Sequence, residues 1–346
     1  FLNFLRSDNY TNSVFLIFLF VSTFFFFNKI TTDLAFKVLT TNHKMFESEM
    51  GNDAEFKDFF YDVHIYDIAE QLKLDRQIRG FNHGDDRHKL RWLYRTLEAK
   101  LFDFMFKYFP EKPLTLYTIL NTIYCFFSLF FTFLSISILN KEFNQKNLVL
   151  TGFFYIFFFH LIFSNGLQSI YTIPEMLFVS IGIYFSVRKK FFLFLIPLFF
   201  GVINRESGIA LSLVYIIFNY KNWYSYTLPI CSVILLLIVN IDLVQNIQLF
   251  SLKTYFPIEE SYSENKTPIS SISFFLLFLL NFFTILFLIF QKRNMNLKFV
   301  ELSLVSLLYF FVAILGTNFT NVFSLLLVLP SITILFISNF EKIEKK

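Results

Sequence analysis

The stretch Phe199–Leu213, FFGVINRESGIALSL, places a cation and an anion side by side inside an apolar run. The run extends from 191 to 220, and Arg205 and Glu206 are its only charged side chains. Thirty helical residues would extend about 45 Å, compared with about 30 Å for the hydrocarbon core of a bilayer. The run is therefore either one strongly tilted span or two short helices.

The composition predicts the setting in which this run must fold. Of the 346 residues, 55% are hydrophobic and 55 are Phe, which is more apolar surface than a soluble fold of this size can bury. Repeated apolar runs have about the length that crosses a bilayer. The sequence predicts an all-α, polytopic membrane protein with about ten membrane helices. Besides the 191–220 pair, these are 12–28, 114–139, 147–165, 173–187, 224–246, 271–291, 298–315 and 319–339.

The distribution of basic residues favours the two short helices, 191–203 and 207–220, turning at Asn204-Arg205-Glu206. Because cytoplasmic loops are enriched in Lys and Arg, the short loops can be sorted by charge. The hairpin collects twelve basic residues on one side: Lys141, Lys146, Arg188, Lys189, Lys190, Lys221, Lys292, Arg293, Lys298, Lys342, Lys345 and Lys346. The opposite short loops hold Arg205, Lys253 and Lys266. Both termini are expected to be cytoplasmic.

This topology divides the chain into four regions. They are the first membrane helix (1–28), an outer-face loop (29–113), a membrane core (114–220) that includes the hairpin 191–220, and C-terminal membrane helices (221–346) with an outer loop at 247–270. The first apolar run lacks a small-residue cleavage site and is expected to be a retained span. Apolar positions recur at helical spacing in the outer-face loop, which predicts amphipathic helices lying in the membrane interface.

The turn at Arg205 is the first candidate site. Charges at membrane depth are kept when they are paired or face a polar cavity. Ser207 is placed to cap the second short helix, whose positive N-terminus, together with Arg205, suits a phosphate. Glu206 would then support Arg205. In the alternative interpretation, Arg205 reaches the outer headgroups and Glu206 caps the turn.

Acidic residues of the outer-face loop are the second candidate site. Asp58 and Asp62 share one helix face with Tyr66 one turn further on, and a carboxylate at a membrane surface can act as a general base. Equally, Asp62 is one solvated charge among many. His83, Asp85, Asp86 and His88 are all metal-ligating types, but their spacing is not diagnostic of a metal site. No cofactor is required by the sequence.

Glu175 has two interpretations. It lies in the segment YTIPE, where it would face the outer cavity and support the site. Thr172 and Glu175 also match a capping box, with Pro174 in the first turn of the following helix. The sequence does not choose between these roles.

Four features resemble the C-type glycosyltransferases of bacteria, multispanning enzymes that use polyprenyl-phosphate-linked sugars. They are a large outer loop after one span, DVHIYDIA (62–69), RWLYRTLEAKL (91–101), and PEMLFVSIGIYFSVRKK (174–190) followed by NRES (204–207). The likeness covers residues 10–220. Arg95 stands where the family commonly has proline. The family's acidic residue usually follows the first span closely, and Asp33 is nearer that place than Asp62.

The resemblance implies an integral protein of the bacterial inner membrane that transfers sugar at the outer, periplasmic face. Asp62 would deprotonate an acceptor hydroxyl, which attacks the anomeric carbon with inversion, and Arg205 would hold the departing lipid phosphate. The partners would be membrane lipid, the polyprenyl-phosphate-linked sugar and an acceptor, with no nucleic acid. The alternative function is a transporter or flippase for a lipid-linked or anionic solute, because a broken helix pair with a charged turn is also a transporter device.

Overall fold

The computed structural model describes residues 16–25, 28, 113–141, 144–163, 172–204, 206–239, 297–316 and 326–344. Every regular element in these ranges is a helix, and nine of them are α-helices. They are α1 (Leu16–Phe25), α2 (Pro113–Asn140), α3 (Gln145–Phe163), α4 (Thr172–Val187), α5 (Phe191–Asn204), α6 (Ala210–Asn219), α7 (Leu228–Val239), α8 (Leu297–Gly316) and α9 (Leu329–Glu344). Short 3₁₀ turns, Glu206–Ile209 and Trp223–Thr227, precede α6 and α7.

These nine helices correspond to nine of the ten expected from the apolar runs. The tenth, 271–291, lies outside the described residues. Two helices begin later than their apolar runs do, α7 at Leu228 and α9 at Leu329. In both cases a proline, Pro229 or Pro330, is the second helical residue. Proline has no N–H to donate and disfavours helical backbone in the residue before it, so it suits a first helical turn and not an interior.

The segment Thr118–Asn140 within α2 is long and apolar enough to cross a membrane, with a mean hydropathy of 2.0. Over the residues whose side chains the structure describes, it alone meets both conditions, and seven further apolar helices have 10–17 such residues. The prediction of an all-helical fold is confirmed for the described residues, which contain no strand. The full set of membrane spans stays a prediction.

Helix α4 lies at the centre of the bundle. It packs most extensively on α2 and then on α5, and it also contacts α6 and α9. The hydroxyls of Ser128 in α2 and Ser180 in α4 are 2.6 Å apart. One turn further along both helices, the rings of Phe131 and Tyr184 have centroids 5.4 Å apart. Because the contacts advance together along both chains, α2 and α4 run parallel.

Buried hydroxyls join α3 to this pair. The Tyr155 hydroxyl of α3 is hydrogen-bonded to Thr132 at 2.6 Å and to Ser128 at 3.2 Å, and both partners lie in α2. Ser128 is in turn bonded to Ser180, whose hydroxyl also donates to the Met176 carbonyl at 2.8 Å. Hydrogen bonds of this kind fix the relative register of apolar helices, which otherwise slide past each other easily. The network holds α2, α3 and α4 in one register.

Helices α5 and α6 form an antiparallel hairpin. Tyr215, in the second half of α6, has its ring centroid 5.6 Å from that of Phe191 and 4.7 Å from that of Phe194, at the start of α5. At the other end, Gly208 of the 3₁₀ turn lies directly against the backbone of Gly201 in α5. The contacts at both ends show that two short helices, and not one long span, occupy this run.

The hairpin packs on α4 along its length. Gly182 of α4 faces Leu211 of α6, and the Asn219 side-chain amide at the end of α6 donates to the Ser186 carbonyl of α4 at 3.1 Å. The contacts again advance together, so α6 runs parallel to α4. The end of α6 therefore lies beside the end of α4, and the hairpin tip lies beside the start of α4.

Candidate functional site

The tip of the hairpin is bonded to the first turn of α4. The Ser207 hydroxyl of the 3₁₀ turn Glu206–Ile209 donates a hydrogen bond to the Glu175 carboxylate oxygen Oε1. The two residues are 32 positions apart in the chain. Only 1% of the Glu175 surface is exposed. The buried Glu175 carboxylate is thus hydrogen-bonded to Ser207, which is two positions after Arg205.

The position of Glu175 follows from the local sequence of α4. The helix starts at Thr172, and Pro174 occupies its first turn, where a missing N–H costs no intrahelical bond. Glu175 is the acidic residue of that first turn, where the helix macrodipole favours a negative charge. Because its carboxylate accepts a hydrogen bond from Ser207, the side chain joins α4 to the hairpin.

Tyr309 of α8 is a further residue near Glu175. It is fully buried, and it lies close enough to Glu175 for the two side chains to interact electrostatically. Within the described part of the chain, the Tyr309 hydroxyl makes no hydrogen bond. Helix α8, which carries Tyr309, packs against α6. Sequence reasoning missed Tyr309, because one Tyr in an apolar helix is an ordinary core residue.

Helix lengths place Glu175 and the hairpin tip well away from the basic turn 188–190, which follows α4. Glu175 is 13 positions before Arg188, which corresponds to about 20 Å along the helix axis. Helix α5, with 14 residues, extends about 21 Å. Glu175 and the hairpin tip are therefore at a similar level.

Ser207 does not act as the expected helix cap. The α-helical part of the second short helix begins at Ala210, and its N-cap, Ile209, makes no side-chain capping bond. The four residues Glu206–Ile209 form a 3₁₀ turn instead, which places Ser207 beside Glu175. A serine at a 3₁₀ turn is free of the capping role because the turn's own backbone bonds tighten the helix start.

Replacing Ser207 by alanine is expected to lower the free energy of unfolding by about 1–2 kcal/mol, because a hydrogen bond to a buried carboxylate is lost. Ser212→Ala is the matched control. Ser212 is buried, whereas Ser207 is half-buried, and the Ser212 hydroxyl donates locally to the Ile209 carbonyl, three positions earlier, at 2.6 Å. The loss of the Ser212 hydroxyl should change stability by less than about 0.5 kcal/mol. Thermal or denaturant unfolding of the purified protein measures both. Equal effects of the two substitutions would contradict this assignment.

The remaining candidate residues are not placed by the structure. Arg205 and the outer-face-loop candidates lie outside the described residues: Asp33, Asp58, Asp62, Tyr66, His83, Asp85, Asp86 and His88. Glu206 is described through its backbone in the 3₁₀ turn. In the described ranges, no three His, Cys, Asp or Glu side chains are grouped as metal ligands. The structure thus brings together two of the expected residues, Glu175 and Ser207.

Comparisons with protein families, with curated proteins and with solved structures gave no significant match. The interpretation of the site therefore depends on the residues of this chain.

Proposed function

We propose that this chain is an integral membrane glycosyltransferase that transfers a sugar from a polyprenyl-phosphate donor to an acceptor at the outer face of a bacterial inner membrane. The observation that carries the proposal is the hydrogen bond between Ser207 and the buried carboxylate of Glu175. An ionisable residue buried among apolar helices is expensive to keep there, and such residues usually mark a functional site.

The arrangement supports a phosphate-binding role for the hairpin tip. Arg205 immediately precedes the turn Glu206–Ile209, which Glu175 and Gly201 hold against α4 and α5. Arg is suited to phosphate because its guanidinium can donate two parallel hydrogen bonds. The Glu175 carboxylate provides a negative potential beneath the tip, which favours a cation at Arg205.

In the proposed reaction, Asp62 removes the proton from the acceptor hydroxyl. The acceptor oxygen attacks the anomeric carbon and forms the new glycosidic bond with inversion. The bond between the anomeric carbon and the lipid phosphate oxygen breaks, and the phosphate leaves with the electron pair. Arg205 stabilises the negative charge that develops on this phosphate.

A transporter or flippase for a lipid-linked or anionic solute is the second candidate. The observation that favours it is the level of the hairpin tip, which is about 20 Å along the helix axis from the basic turn 188–190, compared with a hydrocarbon core of about 30 Å. Binding sites of secondary transporters lie near the membrane midplane, at the ends of broken helices. This function needs Arg205 and Glu175 but no general base, so Asp62 separates the two candidates.

The proposed function is tested by sugar transfer from a radiolabelled polyprenyl-phosphate sugar in membranes that contain the full chain. Transfer should fall at least about 100-fold in Asp62→Asn, because a general base is lost, and in Arg205→Ala, because the phosphate charge is unsupported. Ser212→Ala should retain wild-type activity. Equal transfer in all variants would overturn the residue assignments. Uptake or flipping of the labelled lipid without transfer, sensitive to Arg205→Ala and not to Asp62→Asn, would support the transporter.

A further inference from the structure

Two turns meet at the end of the bundle opposite Glu175. The first, 188–190, joins α4 to α5, and the second, 220–222, joins α6 to the 3₁₀ turn Trp223–Thr227. The hydrogen bond from Asn219 to Ser186 holds the two turns side by side. The rings of Phe191 and Tyr224, which follow the two turns, have centroids 4.9 Å apart. We refer to residues 188–190 and 220–226 as the basic end.

The basic end carries exposed positive charge. Arg188, Lys189, Lys190 and Lys221 are all exposed, and neither segment contains an acidic residue. One guanidinium nitrogen of Arg188 donates to the Tyr184 hydroxyl at 2.8 Å, which leaves its other donors available. Four cations from two neighbouring turns therefore form one electropositive surface.

Lys189 ends α4 in a left-handed backbone conformation. Helix α4 ends in a Schellman arrangement, in which the Lys190 N–H donates to the Phe185 carbonyl and the Lys189 N–H donates to the Ser186 carbonyl, both at 3.0 Å. Lys189 has φ of 57°, a left-handed conformation that glycine adopts without penalty and that costs other residues roughly 1–2 kcal/mol. Lys141, at the end of α2, has the same φ.

An aromatic and aliphatic surface adjoins the basic end. Phe192 is 81% exposed and Trp223 is 78% exposed. From there, exposed apolar side chains continue along α5 and α7, which pack against each other. Ile196 and Ile230 are two of them, one on each helix. A cationic rim followed by Trp and then by aliphatic side chains has the same order as a phospholipid, with an anionic headgroup followed by its acyl chains.

We propose that the basic end binds anionic phospholipid. The headgroup phosphate lies against Lys189, Lys190 and Lys221, and the acyl chains lie along the exposed faces of α5 and α7. Each Lys or Arg near an anionic membrane surface contributes about 1 kcal/mol, so four of them select anionic lipid over zwitterionic lipid. The proposal depends on membrane embedding, which it shares with the proposed function, but not on sugar transfer.

Cys231 provides a local probe for the test. It is exposed in the first turn of α7, next to the basic end, whereas Cys125, the other cysteine of the chain, is buried. The full chain is labelled with bimane at Cys231 and reconstituted in phosphatidylcholine vesicles. Brominated phosphatidylglycerol or brominated phosphatidylcholine is then added at equal mole fraction, and quenching measures which lipid occupies the surface. The same measurement is made on the triple variants K189Q/K190Q/K221Q and K189R/K190R/K221R.

Wild type should be quenched preferentially by the brominated anionic lipid. The ratio of quenching by the anionic lipid to quenching by phosphatidylcholine should be at least about fivefold lower in K189Q/K190Q/K221Q than in wild type. The variant K189R/K190R/K221R, which keeps the charge, should retain the wild-type ratio. Equal quenching by both lipids in wild type, or a preference in the Gln variant within about twofold of wild type, would overturn the proposal. Absence of quenching by either lipid would overturn the membrane setting as well. A lipid preference without any sugar transfer would overturn the proposed function alone.

Discussion

Gly208→Ala is expected to prevent the α5–α6 hairpin from closing and to destabilise the protein by about 3 kcal/mol or more. A Cβ atom at Gly208 would overlap the carbonyl carbon and oxygen of Gly201 and would lie 2.5 Å from the amide nitrogen of Val202. All three are backbone atoms of α5, so no side-chain rotation relieves the overlap. Overpacking usually costs 1–3 kcal/mol when side chains can adjust, and here they cannot. Thermal unfolding monitored by size-exclusion chromatography measures the effect.

Gly201→Ala is the matched control for this prediction. The nearest atoms that its Cβ would meet are those of Leu211, Phe178 and Gly208, at 3.6–3.8 Å, which is ordinary van der Waals contact. Gly201 is also helical, where alanine is favoured by about 1 kcal/mol over glycine. The control should therefore be as stable as wild type or more stable. If Gly208→Ala folds as well as Gly201→Ala, the close backbone contact at the hairpin tip is wrong.

Glu175→Gln is expected to abolish function while the fold persists. Glutamine has nearly the same shape, and its side-chain oxygen can still accept the hydrogen bond from Ser207. Removing a buried charge should leave the free energy of unfolding unchanged or raise it. The negative potential that favours the Arg205 cation is lost, however, and Arg205 is the group that stabilises the departing phosphate, a contribution of about 10²–10³ in rate. Sugar transfer and thermal unfolding are measured on the same preparation.

Glu301→Gln is the control for the loss of a carboxylate. Glu301 lies in α8 eight positions before Tyr309, about 12 Å along the helix axis. Its substitution should leave sugar transfer within about twofold of wild type. Glu175→Gln with wild-type transfer would show that the buried carboxylate only joins α4 to the hairpin.

The helices were accessible to sequence reasoning because hydrophobic runs of nearly bilayer length have few other solutions. The hairpin was predictable for a similar reason. A run of thirty residues is too long for one upright span and too short for two full spans, and Asn204-Arg205-Glu206 interrupts it. The starts of α7 and α9 were not obtained from hydropathy. Apolar side chains continue through both boundaries, and the signal that mattered was the backbone constraint imposed by Pro229 and Pro330.

The candidate site was accessible only in part. Glu175 was recognised as an unusual residue, but its partner is 32 positions away, and no periodic pattern encodes a contact between two helices at that separation. Ser207 was expected to cap a helix because serine before an apolar run has that local preference. In the structure, residues 206–209 form a 3₁₀ turn in which Gly208 packs against Gly201 of α5. Local propensity does not predict a tertiary contact of this kind. Tyr309 gave no signal, since its neighbours in sequence are all apolar.

The glycine-on-glycine contact has a consequence for the thermodynamics of binding at the tip. Backbone groups of residues 206–209 are fixed by Gly201 on one side and by Glu175 on the other during folding. The conformational entropy of ordering this turn is therefore lost before any ligand arrives, and binding does not have to supply it. A substitution that loosens the contact would weaken a ligand mainly through the entropy of binding, with its enthalpy little changed. Calorimetry can therefore separate a preformed binding turn from one that the ligand itself must organise.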